Sequence, residues 1–453
     1  MRSSTVKYAS NGLHVGMYIR MAPGSVGGIA QAVMGLVDAL GKLDDGPERY
    51  TLVTRTAEQD AWLKPHLGAN QQILRHPSRG ESTSVDASSG NGATRFLRRA
   101  ARYVQHRLSV PRHWPEIPVS DGFLESLSCD VIHFPTQWFA LCNVPSVYNP
   151  HDLLHLAYPQ FFSQAELIWR EVLYPAGCRF AHTVVVGTQW VKEDVARRYG
   201  THPEKIQVIP WASPTVFYGQ PTKKRLHEVR ERYRLPEPFA LYPAVTWPHK
   251  NHVRLLEALA YLRDSEKLTI NLVCTGALEQ PGWQGIQAAL DELNLASQTR
   301  FLGFVPQDDL RALYRLAHLL VLPTLYEADS NPIHEAWSEG VPVASSNVTA
   351  LPDQVRDAGI LFDPLDTRAI ADALKRLTTL PSLRDELRER GRRRAQHFDW
   401  EKTAKAYRAV YRQAAGRTLT KEDRWLLQWD WMRDPDGTPA DKSTGERAGA
   451  GYS

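Results

Sequence analysis

Short apolar runs without polar interruption recur along this chain, separated by stretches in which apolar positions return every three or four residues. The first pattern predicts strands buried on both faces, as in parallel sheets. The second predicts amphipathic helices. In the first half, strands are predicted at 14–20, 50–54, 131–134, 146–149, 183–186 and 206–209, with helices at 29–40, 164–177 and 189–199. The second half is more regular. Strands at 240–245, 269–275, 300–302, 319–322, 341–344 and 360–362 alternate with helices at 253–262, 285–293 and 307–317, and helical patterns fill 367–396. Such alternation predicts an α/β fold with helices flanking parallel sheets.

Pro210, Pro214, Pro221, Pro236 and Pro238 surround a charged stretch between the halves. A chain of 453 residues suits two domains. The economical architecture is two Rossmann-like domains facing each other across a cleft. The first is expected over 1–215, with a mobile insertion at about 77–120, and the second over 216–398. A final helix at 399–416 is expected to pack back toward the first domain, followed by a largely disordered tail at 417–453. Within the insertion, 77–92 is rich in Ser and Gly, and 95–108 is a basic amphipathic stretch. That stretch can lie on an anionic membrane surface or pack, solvated, on its own domain. Residues 425–431 are apolar enough to dock, at a place the sequence does not specify.

Composition narrows the classes. Hydrophobic content of 43% and charged content of 23% are globular values, and a net charge of +4 is too small to argue for nucleic acid. The four cysteines lack metal-like spacing and read as reduced thiols. The first residues lack the apolar core of a signal peptide, and no run reaches the roughly 18–20 apolar residues of a membrane helix. A soluble cytoplasmic protein is expected, and peripheral contact at the inner face of a membrane is one of the two readings of 95–108.

The chemistry gathers at strand ends. Glu327 follows the predicted strand 319–322 on a loop, and Glu335, with seven residues between the two, lies about one turn into the next helix. Ser330 or Asn331 can cap that helix, Pro332 suits its first position, and Gly340 fits just past its end. Ligands of open α/β sheets bind at such crevices, and helix N-termini attract phosphate. Two acceptor carboxylates beside an anion site suit a ligand with both hydroxyls and phosphates, such as a nucleotide sugar. Gly27 and Gly28 open the first helix, where backbone amides can approach a phosphate. His151 follows the strand at 146–149, and Lys250 follows the strand at 240–245, where it can neutralise a diphosphate. Gly276 and the run Gly303-Phe304-Val305 follow neighbouring strands, where backbone groups can read a nucleobase edge.

These motifs resemble the retaining family-4 glycosyltransferases of GT-B fold over roughly residues 12–415. The marks are E-x7-E at Glu327 and Glu335, His151-Asp152-Leu153, Pro248-His249-Lys250-Asn251, Gly303-Phe304-Val305-Pro306 and Gly340-Val341-Pro342-Val343-Ala344. The segment 184–194 leading to 205–210 is a further mark. The resemblance implies that Glu327 binds donor-sugar hydroxyls near the reacting carbon, and Glu335 the ribose. It implies that Lys250 binds the diphosphate with the amides of Gly27, Gly28 and the helix around Asn331, Pro332 and Ile333. His151 would contact the donor sugar or the acceptor hydroxyl. Gly276 and Val305 would complete the donor seat, and Lys250, together with Thr246 or His249, would stand in for an arginine absent here. No metal and no cofactor beyond the nucleotide-sugar co-substrate are expected.

Three departures stand out. Ala328-Asp329-Ser330-Asn331 replaces the family's common Gly-Phe-Gly-Leu, Ala244 or Val245 replaces a strand-end glycine, and Trp211-Ala212 replaces an Asn-Gly. The expected activity is transfer of a hexose from GDP-mannose or a UDP-hexose to a glycan or lipid-linked acceptor, in bacterial surface polysaccharide synthesis. The alternatives are a catalytically silent nucleotide-sugar-binding subunit, or an epimerase or phosphorylase of the same architecture.

Overall fold

Thirteen strands fall into two sheets in the computed structural model, which describes residues 12–21, 27–77, 115–280 and 282–431. The first sheet holds β1 (His14–Tyr18), β2 (Arg49–Thr54), β3 (Gln71–Arg75), β4 (Val131–Phe134), β5 (Ser146–Tyr148), β6 (Thr183–Val186) and β7 (Ile206–Val208). The second holds β8 (Phe239–Pro243), β9 (Asn271–Thr275), β10 (Thr299–Phe301), β11 (Leu319–Leu322), β12 (Val343–Ser346) and β13 (Gly359–Phe362). Every pairing between these strands is parallel. The expected α/β architecture of two parallel sheets is what the chain forms.

Strand order runs β3-β2-β1-β4-β5-β6-β7 in the first sheet and β10-β9-β8-β11-β12-β13 in the second. Each order reverses direction once, between β1 and β4 and between β8 and β11. At such a switch point the connections leave to opposite sides and open a crevice at the carboxyl ends. The segments after β1, β8 and β11 carry Gly27-Gly28, Lys250 and Glu327.

The Trp400–Ala414 helix packs on the Gly28–Lys42 helix of the first lobe. A β carbon on Gly35 would come within 2.2 Å of the Trp400 ring, so only glycine permits this approach. Tyr407 and Tyr411 reach a fully buried polar cluster beneath the first sheet's strand ends. Asn149 Nδ2 donates to the Tyr407 hydroxyl at 2.9 Å and His133 Nε2 donates to Asn149 Oδ1 at 2.6 Å, while the Tyr411 hydroxyl lies 2.8 Å from His133 Nδ1. The chain therefore crosses between the lobes twice, at 209–218 and again at 396–400.

The Lys421–Gln428 helix settles the docking of the tryptophan-rich segment. Lys402 Nζ lies 3.6 Å from the centre of the Trp429 ring and near Trp425 and Trp431, and Gln207 Nε2 donates to Leu427 O at 2.8 Å. No helix among the described residues is long and apolar enough to cross a membrane. The basic stretch 95–108, the Ser/Gly-rich run 77–92 and the tail beyond 431 lie outside the described residues.

Several boundaries differ from the sequence pattern. The helical stretch 367–396 divides into Thr367–Thr379 and Pro381–Ala395, because Pro381 cannot continue a helix but suits the start of one. Elements not anticipated include the Lys421–Gln428 helix, which lies in a tail expected to be largely disordered, together with β3 and the helices Ala57–Leu63, Leu351–Val355 and Lys223–Arg232. The last buries only Val229, so it has almost no apolar stripe, although Thr222 caps it by accepting from Arg225 N.

Candidate active site

The neighbouring pair β8 and β11 brings Lys250 to Glu327. Leu319 and Leu320 sit in register with Ala240 and Leu241, so the loops after the two strands leave side by side. Asn251, in a left-handed conformation with φ of +61°, donates from Nδ2 to Pro323 O and to Pro364 O, each at 2.9 Å. Leu325 N donates to His249 O at 2.7 Å. Held by these bonds, Lys250 Nζ donates to Glu327 Oε1 at 2.5 Å. Burial raises the Glu327 carboxyl above its usual range, and the Lys250 charge opposes that shift; Asp152 and Asp329 add to it.

His249 and Thr246 turn inward and do not stand in for the missing arginine. Burial, with Lys250 and His252 nearby, pushes the His249 imidazole down to about 2, so it is neutral near pH 7. Thr246 Oγ1 donates to Glu279 O at 3.0 Å and accepts from Glu279 N at 2.6 Å, so its hydroxyl is used within its own lobe. Among the expected phosphate-binding side chains, Lys250 is the one that carries charge here.

From the first lobe, His151 enters with φ of +63° and its ring stacked on Trp211. Its Nε2 lies 2.9 Å from Pro135 O. A carbonyl only accepts, so Nε2 carries the proton and Nδ1 of the neutral ring is an acceptor. Burial lowers the His151 pKa, opposed by the Pro135 carbonyl and by the charges of Asp152 and Asp329.

The lobes meet along the loop 325–331. Leu153 N donates to the Tyr326 hydroxyl at 3.1 Å, and Thr188 Oγ1 donates to Ala328 O at 3.0 Å. Asn331 does not cap the Asn331–Ser338 helix, and Ser330, at the cap position, makes no side-chain cap bond. Asn331 Nδ2 reaches across instead, to Gln31 Oε1 at 3.2 Å and Gly28 O at 3.5 Å. The first residues of two helices from opposite lobes, Gly28 and Asn331, are thereby brought together, with Gly27 beside them. Pro332 and Ile333 form the first turn, where Ile333 N donates to Ser330 O at 3.1 Å.

Glu335 is placed differently from the other carboxylate. Its Oε1 accepts from the Tyr218 hydroxyl at 3.1 Å and its Oε2 from the Tyr314 hydroxyl at 2.6 Å. It is 3% exposed, and burial raises its carboxyl above the usual range against the pull of both tyrosines. Gln31 Nε2 in turn donates to the Tyr218 hydroxyl at 2.6 Å. Tyr218 and Gln31 thus tie Glu335 to the first lobe. Nothing in their spacing from Glu335 signals this, since they lie 117 and roughly 300 residues away.

Gly276, with φ of +118°, donates its N–H to Gly303 O at 2.8 Å, and a β carbon there would meet Ala244 at 2.7 Å. Val305 is buried, whereas Phe304 beside it is 60% exposed. A cavity of about 570 Å³ lies at the hinge, lined by Asp38, Lys42, Ser213, His334, Phe398 and Trp400, not at the strand ends that carry Lys250 and Glu327. The chemistry argues for the strand ends.

Two family models match end to end. The one for Glycosyltransferase Family 4 covers residues 26–212, and the one for Glycosyl transferases group 1 covers residues 224–394. The chain belongs to the family-4 glycosyltransferases. Among relatives of this glycosyltransferase, O-antigen chain mannosyltransferase B of Escherichia coli is 27% identical over 341 residues, 73% of this chain and 86% of the relative. The serotype-specific mannosyltransferase WbdA of the same organism is 24% identical over 288 residues, 63% of this chain but only 34% of the relative. A glycosyltransferase from Rickettsia africae superposes with a TM-score of 0.63 at 14% identity, covering 90% of this chain and 100% of its own. HepE of Anabaena, solved with UDP and glucose, superposes with a TM-score of 0.62 at 16% identity, covering 88% of this chain and 100% of its own. These structural likenesses establish the GT-B fold of the glycosyltransferase.

Proposed function

We propose that this glycosyltransferase moves a hexose, with retention at the anomeric carbon, from a nucleoside diphosphate to a glycan or lipid-linked acceptor in surface polysaccharide synthesis. GDP-mannose is the favoured donor and a UDP-hexose the alternative. The observation that carries the reading is the Lys250–Glu327 pair at the second sheet's switch point. The mannosyltransferase names of the relatives support mannose and polysaccharide synthesis.

In the reaction, the bond from the anomeric carbon to the diphosphate oxygen breaks and one to the acceptor oxygen forms on the same face. The acceptor proton passes to the departing phosphate oxygen. Lys250 stabilises the charge growing on that diphosphate, as preorganised electrostatics requires, and no metal is needed in this scheme. Glu327 holds sugar hydroxyls and does not attack, because its Oε1 is committed to Lys250. His151 Nδ1 accepts from a hydroxyl at the reacting centre. Glu335 takes the ribose hydroxyls once the Tyr218 hydroxyl gives way. The basic stretch 95–108 would hold the enzyme at the cytoplasmic membrane face near a lipid-linked acceptor, a reading that rests on sequence alone.

A thermal-shift screen of nucleotide sugars tests the donor. A bound donor at about 100 times its dissociation constant stabilises the fold by roughly 2.7 kcal/mol. GDP-mannose is expected to shift the midpoint most, and a screen in which no nucleotide sugar shifts it sinks the reading. The altered loop Ala328–Asn331 beside Glu327 favours one second reading, a subunit that binds nucleotide sugars without transfer. Glycan synthesis restored in vivo by Glu327→Ala and Lys250→Ala variants would support it.

A further inference from the structure

Asp329 lies two residues past Glu327, in the segment where the sequence departs from the family pattern. Its loop is fixed from two sides. Gln354 accepts from Ser330 N through Oε1 and donates to Ser330 O through Nε2, each at 3.0 Å, while Thr188 of the first lobe holds Ala328 O. Between these anchors the Asp329 carboxylate has two different oxygens. Oδ1 lies 3.4 Å from His334 Nε2. Oδ2 is buried and has no hydrogen-bond partner among the described residues. It faces the first lobe at the end of β6, since a β carbon added to Gly187 would stand 3.2 Å from it. The Asp329 charge is felt at both His151 and Glu327, which places it beside the groups that flank the reacting sugar.

A buried carboxylate oxygen is acceptor-only and costly to leave unpaired, so its position selects a donor. Lys250, the nearby cation, is already engaged by Glu327. Diphosphate oxygens are excluded by like charge. Sugar hydroxyls remain, and they are the donors that a nucleotide sugar brings to this point. We propose that Asp329 is a specificity-determining residue whose Oδ2, closed off against Gly187 in this structure, accepts a hydrogen bond from one hydroxyl of the transferred hexose once the lobes part there. Hexoses with the opposite configuration at that carbon cannot make the bond and are discriminated against. The inference rests on the glycosyltransferase reading of the site and names the chemistry by which this loop selects its sugar.

The test uses the full chain with Asp329→Asn, which keeps the shape and loses the charge, and Asp329→Ser, which leaves room if the first variant does not fold. Steady-state kinetics are measured with the preferred donor, with donors epimeric at single carbons and with deoxy donors, and calorimetry gives the affinity for the sugar-free nucleoside diphosphate. Both variants are expected to lose about tenfold or more of their preference among epimers. Affinity for the sugar-free nucleoside diphosphate should stay within about twofold, because it lacks the contacted hydroxyl. One deoxy donor should serve wild type and variant equally, which identifies the contacted hydroxyl. Unchanged selectivity overturns the inference, as does an equal fall in nucleoside diphosphate affinity or an effect confined to the KM of the acceptor. If wild type itself binds no nucleotide sugar, the functional reading falls first and the inference falls with it.

Discussion

Lys250 and Glu327 neutralise each other in a partly buried setting, so neither can be changed without exposing the other's charge. Removing the lysine by Lys250→Ala leaves an unpaired carboxylate whose pKa burial already raises. The sign follows. A carboxyl whose folded pKa is raised destabilises the fold once pH climbs through that value, and the penalty vanishes below the ordinary carboxylate range. Relative to wild type, the variant is expected to lose about 1–3 kcal/mol at neutral pH and little in acid, read as the difference in urea midpoints across pH. Its kcat/KM should fall about tenfold or more, because the developing diphosphate charge loses its cation. Tyr218→Phe tests the neighbouring carboxylate. Freed of that hydroxyl, Glu335 Oε1 is open to ribose, and calorimetry should show nucleoside diphosphate binding tightened severalfold. Weaker binding would instead give Tyr218 a supporting role in the donor seat.

Elements decide how those residues meet. The Trp400–Ala414 helix closes on the first lobe through Gly35, where added bulk has no room. Gly35→Ala drives a methyl into a packed tryptophan ring and should cost about 1–3 kcal/mol, visible as a lowered melting temperature. Tyr407→Phe leaves Asn149 Nδ2 short of one acceptor and should cost about 1–3 kcal/mol. Strands buried on both faces, such as β6 and β11, were legible because the Val184–Val186 and Leu319–Leu322 runs are hard to mistake. The edge strand β3 was not, since Gln71-Gln72-Ile73-Leu74-Arg75 is half polar and pairs on one side only. The Lys223–Arg232 helix hid for a related reason, its capping threonine being a weaker signal than an apolar stripe. At the site, Lys250 and Glu327 could be brought together from sequence because strand ends at a switch point converge. The tyrosines around Glu335 could not, because Tyr314 arrives through packing of the Gln307–Leu316 helix beside the Glu335 helix and Tyr218 from the hinge, neither of which spacing or strand order signals.

Across the whole molecule, four buried histidines link acid sensitivity in one lobe to that in the other. Burial pushes His133 and His155 of the first lobe to about 3, and His249 and His252 of the second to about 2 and about 3. Each folded value lies below the unfolded one, so the unfolded chain binds more protons as pH drops below about 6.5. The stability these rings confer is complete above that pH and is lost progressively toward pH 3, at up to about 1.4 kcal/mol per pH unit for each ring. Urea titrations at stepped pH should show both lobes weakening together below pH 6.5. A flat profile between pH 7 and 5 would show that these rings are charged in the fold.

Because the polypeptide returns to its first lobe to finish, order in sequence and membership in space part company after residue 398. A chimera that exchanges donor halves between two relatives should therefore take its foreign segment from the hinge near 215 only as far as the second crossing. Residues 400–414 should stay with the native amino-terminal half, whose Asn149 and His133 they complete. Hybrids joined that way should be recovered as folded protein, while those carrying a foreign carboxyl end place mismatched side chains under the strands that support His151.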